Sequence, residues 1–200
     1  MLAIGMDVND YLSRLLPHRL NALSIAILML KFRLKWEESK PMQIFVDGSL
    51  QFEGLTTMFT NPTVEVGVLH ARALLEFVGL KVSRAGELIQ LSPATRQSDD
   101  AGIEKIVGIA GPLHLVSPAE VGAIHPIDAE GAKRALARLI VAAHKGLAHS
   151  SASYFSNPPD AQDILLGLQV TECLVERHVY VALGRLRPTL PIEARARNPL

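Results

Sequence analysis

Residues 61–81 read NPTVEVGVLHARALLEFVGLK, and the fold class turns on this stretch. Asn61 is a helix-capping residue, and Pro62 fits a first helical turn, where a missing N–H costs nothing. Glu65 complements the positive end of the helix dipole, and Gly79 is placed to end the helix in a left-handed conformation. Leu69, Ala73, Glu76 and Leu80 share one side; Val66, His70, Leu74 and Phe77 share the neighbouring side. Most of this helix is therefore predicted to be buried, which requires other helices around it.

The flanking sequence supplies them. From Pro17 the chain runs PHRLNALSIAILMLKFRLKWEES without another breaker until Pro41, and Leu20, Leu23, Ile27, Leu30 and Leu34 follow the three-four spacing of a buried stripe. A short helix capped by Asp7 is expected before it, over Val8 to Leu16. Asp128 caps a third long helix, AEGAKRALARLIVAAHKGLAHS. A fourth, DAQDILLGLQVTECLVERHVYVALGRL, follows Asn157-Pro158-Pro159, with Arg185 in its last turn and Pro188 as its stop.

Between the first two helices, Met42 to Val46 is β-prone and Asp47-Gly48 signals a turn, with another short helix expected over Ser49 to Phe59. Beyond Lys81 the pattern weakens. ELIQLS reads as a short strand, and Asp99 or Asp100 is placed to cap a short helix in the following polar stretch. Ser117-Pro118-Ala119-Glu120 is a capping box, which predicts a helix ending near Ala123. The expected fold is all-α: a four-helix bundle-like core with short extra helices and one or two short strands. One domain covers residues 1–187, with a loose tail over 188–200 that has no apolar periodicity.

Composition narrows the function classes. The chain has 200 residues, 48% of them apolar and only 5% aromatic, so aliphatic side chains must fill the core. Twenty basic residues balance twenty acidic ones, which removes global steering toward nucleic acid or an anionic membrane and favours self-association. A single cysteine, Cys173, excludes an internal disulfide and a thiolate metal cluster; it is expected to be a small core residue. The N-terminus lacks the basic start of a secretory leader, and the most apolar run, Leu20 to Leu30, falls short of the ~20 residues that cross a bilayer. These features point to a cytoplasmic protein with no membrane partner and no cofactor.

The chemistry-bearing candidates are few. His144 and His149 bracket Lys145-Gly-Leu-Ala, but five residues at ~100° each put them about 140° apart, so they cannot grip one ion on a regular helix. Ser150, Ser151 and Ser153 lack the base, acid and oxyanion pocket of a catalytic serine. Glu172 and Glu176 lack histidine partners three residues on, the pattern of a di-metal bundle site; Val175 and Val179 stand there. No metal site is expected. Glu65, Arg72 and Glu76 align on one stripe, which reads either as a surface salt-bridge ladder or as a buried polar cluster with His70 and His149. Lys31, Arg33 and Lys35 beside Trp36 spread around their helix and form no sustained basic face.

The stretch HKGLAHS resembles the RNxxxH-type motif of the HEPN superfamily, with His149 at the motif histidine and Leu147 and Ala148 at the packing positions. His144 stands where the arginine would be and Lys145 where the polar residue would be. The chain is also similar to an uncharacterised bacterial all-helical family through His70, Arg72, Leu74, Leu75, Glu76 and Phe77, and through Lys145 to His149. The superfamily resemblance implies a helical dimer and, in active members, a metal-independent RNase whose histidine acts as acid or base beside an arginine. Histidine cannot supply the permanent bidentate charge of that arginine. Arg138, eleven residues before His149, lies ~16 Å away along the helix axis.

The resemblance with its missing arginine thus implies a non-catalytic HEPN-like interaction module, self-associating as a homodimer or binding an RNA or protein partner. Two other readings remain. One is an RNase using His149 and His144 as catalytic residues. The other is small-molecule binding in the bundle core. The binding candidates are His70, Arg72, Glu76, Lys145 and Ser150.

Overall fold

The computed structural model describes residues 8–36, 38–97, 100–108, 111–148 and 159–188. The fold is mostly helical, with short antiparallel strand pairs between the helices.

Helix α1 spans Val8–Lys35 without interruption. The expected start at Pro17 is corrected: the proline sits inside the helix. A proline N cannot bond the carbonyl four residues back. The preceding turn, Tyr11–Leu15, is widened, and the Leu16 N–H reaches the Tyr11 carbonyl five residues away. Leu16, Leu20, Leu23, Ala26, Ile27 and Leu30 form the buried stripe, whereas Leu34 is exposed. By length and composition this helix could cross a bilayer, unlike the shorter run read from sequence, but its buried stripe packs on two other long helices.

Strands β1 (Pro41–Val46) and β2 (Ser49–Leu55) form a hairpin, where a short helix was expected over Ser49 to Phe59. The cause is the turn: Asp47 and Gly48 both take positive φ, 50° and 79°, the conformation that turns a strand directly back on itself. Val46 then pairs with Ser49, and the strand continues to Leu55.

Helix α2 runs Thr57–Val78, starting before the expected Asn61 cap. Asn61 Oδ1 is buried and caps nothing, and Pro62 lies inside the helix. Gly79 ends α2 as expected, at φ 100°, with its N–H shared between the Leu75 and Glu76 carbonyls at 3.0 and 3.1 Å. Strands β3 (Leu80–Val82) and β4 (Leu88–Gln90) follow as a second antiparallel pair, and β5 (Val107–Gly108) with β6 (Gly111–Pro112) forms a third.

Among the described residues, Asp100 caps no helix. Asp99 lies outside the described residues, and Ile103–Lys105 forms a single tight turn after Gly102. Helix α3, Pro118–Ile124, carries the expected capping box between Ser117 and Glu120. Helix α4, Ala129–Val141, starts with Asp128 Oδ1 accepting the Gly131 N–H at 2.8 Å, and widened turns carry it on through Ala142–Ala148. Helix α5, Ala161–Val175, starts at Asp160 and continues through widened turns over Glu176–Val181. Arg185 therefore lies past the last helical turn rather than in it. Helix α1 packs on α2, α4 packs on α5, and α5 also touches α1 and α2. Leu23, Leu74, Leu136, Leu139 and Leu168 meet in one aliphatic core.

Candidate functional site

Among the described residues, the sequence-derived candidates do not converge. His70 and Arg72 are two residues apart on α2, about 200° around the helix, and face different neighbours. Arg19 Nη1 of α1 donates to His70 Nδ1 at 3.3 Å. Because arginine only donates, His70 Nδ1 accepts and its proton sits on Nε2. Burial lowers the His70 pKa, and the charges of Arg19 and His18 lower it further, so the ring is neutral at pH 7. The His18 ring stands edge-on to it at 5.6 Å.

Arg72 pairs with Glu76 at 3.0 Å. The two side chains are 30% and 42% exposed, which matches the surface ladder rather than a buried cluster, and Glu65 is exposed. An intrahelical pair of this kind contributes about 0.3–0.5 kcal/mol. His149 and Ser150 lie outside the described residues. His144 and Lys145 are exposed on the widened turns Ala142–Ala148, where the regular ~100° per residue does not hold.

Lys145 borders the largest cleft described, about 870 Å³, between α4 and the β3–β4 turn. Its lining holds the cations Lys133, Arg134, Arg138 and Lys145 and the anions Glu87, Glu130 and Asp160. Arg138 pairs with Asp163, and Lys133 pairs with Glu130 at 2.8 Å. Near-balanced charge, with two of the cations already paired, is a poor match to a polyanionic backbone. His70, Arg72 and Glu76 line neither this cleft nor the two smaller ones described.

Two features escaped the sequence reading. The first is a set of three ligand-type side chains. His114 Nε2 lies 2.8 Å from Glu120 Oε1, and His178 Nδ1 lies 3.9 Å from the same oxygen. The imidazoles stand edge to face at 5.7 Å. Burial alone would raise the Glu120 pKa; hydrogen bonds from His114 and from the Ser117 N–H and hydroxyl, with the nearby His178, outweigh it and bring the pKa down to about 2. Burial lowers the His178 pKa; Glu120 opposes this and the charges of His114 and Arg177 reinforce it. No helical or strand period links positions 114, 120 and 178, so only the fold brings them together.

The second is a group of exposed apolar side chains on the two faces of the hairpin and along α2. Phe45, Val46, Leu50, Phe52 and Leu55 on the β1–β2 hairpin are all 40–57% exposed. The hairpin leans on α2 through an edge-to-face contact of Phe52 with Phe59 at 5.3 Å. Met58, Val66 and Leu69 are exposed along α2, within a sector of about 80°. Their exposure corrects the expectation that most of α2 is buried. Cys173 is likewise exposed rather than in the core, because on α5 it falls between Glu172 and the buried Leu174, on the outward side.

Comparison of the chain with protein families, with curated proteins and with solved structures gives no match.

Proposed function

We propose that the protein is a non-catalytic helical interaction module that forms a homodimer through the β1–β2 hairpin. The exposed apolar hairpin carries this reading. A lone two-stranded hairpin is marginal in water and is stabilised by further strands or by packing against a helix; α2 supplies the Phe52–Phe59 contact and leaves Phe45, Val46, Leu50 and Leu55 exposed. Among the described residues each strand has one edge with no strand beside it, and strands with open edges readily pair with another chain. A second copy related by a twofold axis supplies the same strands and turns two into four. Zero formal net charge leaves little repulsion between identical copies.

In this reading the long helices act as a four-helix, HEPN-like bundle that presents the arm. The packing of α1 on α2, of α4 on α5, and of α5 on α1 supports it. The missing arginine at the motif, with His144 in its place, supports a module without RNase activity. The near-balanced cleft beside Lys145 weighs against an RNA partner.

Light scattering on eluted peaks, comparing wild type with Phe45→Glu and Val46→Lys, tests the reading. The wild type is expected to elute as a dimer and each variant as a folded monomer. A monomeric wild type at tens of micromolar, or a dimer indifferent to both substitutions, overturns the reading.

A further inference from the structure

We propose that His114, Glu120 and His178 form a binding site for a divalent transition-metal ion of the zinc class. The site rests on nothing in the dimer reading, and of the motifs discussed above it shares only Glu120, the acidic member of the Ser117–Glu120 capping box.

The ligand atoms of the three side chains already lie within 4.8 Å of one another. With metal–ligand bonds of ~2.1 Å, a tetrahedral ion spaces its ligand atoms about 3.4 Å apart. The His114–Glu120 and Glu120–His178 separations, 2.8 and 3.9 Å, bracket that value. Small side-chain rotations complete the set. Two imidazoles and one carboxylate suit zinc, cobalt or nickel; magnesium and calcium need oxygen ligands throughout.

The surroundings hold each ligand in place. Glu120 uses Oε2 to accept from the Ser117 N–H and hydroxyl, both at 2.8 Å, which fixes the carboxylate plane and leaves Oε1 turned to the imidazoles. An outer hydrogen bond of this type is what a ligating carboxylate needs. His114 sits in a link pinned on both sides. The Leu113 N–H bonds the Ile106 carbonyl at 2.9 Å, Gln90 Nε2 donates to the Leu115 carbonyl at 2.8 Å, and the Val116 N–H bonds the Val78 carbonyl at 2.9 Å. His178 is held by the widened turns after α5, its side chain only 10% exposed.

The His114 side chain is 71% exposed, so the fourth coordination position faces water. Three protein ligands with an open fourth position can carry an exchangeable water or a small anionic ligand on the metal. The bound ion would also join three segments: the link after β6, the start of α3, and the far end of α5.

Calorimetric titration of the full chain with zinc, repeated for His114→Ala and His178→Ala, tests the site. Wild type is expected to bind one ion per chain, and each variant to bind at least about 100-fold more weakly, the upper end of what loss of a mere outer partner costs. Cobalt should give a tetrahedral visible spectrum in wild type alone, and magnesium should not displace it. If His178→Ala fails to fold, His114→Ala decides, since an exposed ring can be removed without disturbing the core. No stoichiometric binding by wild type, or affinity unchanged in His114→Ala, overturns the proposal.

Discussion

Gly67 and Ala26 meet where α2 crosses α1, and a Cβ built on Gly67 would run into the Ala26 methyl. Gly67→Ala gains up to about 1 kcal/mol in helix propensity, but overpacking a close crossing costs about 1–3 kcal/mol. A net loss of about 1 kcal/mol is expected in chemical denaturation. Ala26→Gly combined with Gly67→Ala should recover part of it, and an unchanged midpoint for Gly67→Ala alone would contradict this packing.

Arg96 closes the C-terminal end of α2. Its Nη2 donates to the Glu76 and Phe77 carbonyls at 2.7 and 3.1 Å, and Nη1 donates to the Ala101 carbonyl at 3.1 Å. Its Nε lies 2.9 Å from Glu104 Oε1, outside hydrogen-bond alignment, with the arginine side chain only 7% exposed. Arg96→Ala strands the Glu104 charge and takes a donor from three carbonyls, of which Glu76 keeps the Gly79 N–H, so a loss of about 3–5 kcal/mol is expected. Arg96→Lys, which keeps the charge but not the fork, should recover only a part. A loss below about 1 kcal/mol, the scale of an exposed pair, would show that the cap is not formed.

Tyr11 and Tyr180 set an alkaline limit. Burial raises both phenols to about 12, against the modest opposing charges of Arg19 and Arg96 at Tyr11 and of Arg187 at Tyr180. The folded pKa values are raised, so their stabilising contribution is complete below pH 10 and is lost as pH climbs from about 10 to about 12. Each contributes about 2–3 kcal/mol over that window. In a Tyr154→Phe background, phenolate absorbance and loss of helix signal should rise together. Phenolate appearing near pH 10 with the helices intact would contradict the burial.

Arg187 reaches back from beyond α5 to Glu172 Oε1 at 2.8 Å and to the Ser24 hydroxyl at 3.2 Å, and Ser24 Oγ donates to the same carboxylate oxygen at 2.5 Å. Both ion-pair partners are about three-quarters covered. A double-mutant cycle of Arg187→Ala with Glu172→Gln should give a coupling of about 1–2 kcal/mol, since the hydrogen bonds involve charged groups. Additive effects would mean the three groups do not act together.

The parts of the fold legible in the sequence are those decided within one turn of chain. Gly79, the Ser117–Glu120 box and Asp128 each settle a helix end through bonds to residues within one turn, and each stands where its residue type placed it. Pro17 and Pro62 misled because a proline is equally compatible with a first turn and with an interior turn that the surroundings tolerate. Ser49–Leu55 misled because its strand is set by pairing with β1 across the Asp47-Gly48 turn, which no one-segment periodicity reports. The His114–Glu120–His178 set and the Arg96 cap share that cause: their partners are chosen by tertiary packing. Of the sequence-derived site, the Arg72–Glu76 ladder was legible because it lies on one helix.

The outward position of Cys173 has a practical corollary. The chain contains one sulfhydryl, so a maleimide fluorophore attaches at a single point on α5. Burial, then the adjacent Glu172 and Glu176 carboxylates, raise its pKa, so it stays protonated and slow to alkylate at neutral pH. Mildly basic buffer would therefore allow a quantum yield or anisotropy readout to be placed on the helix that touches both α1 and α4, without altering any other side chain.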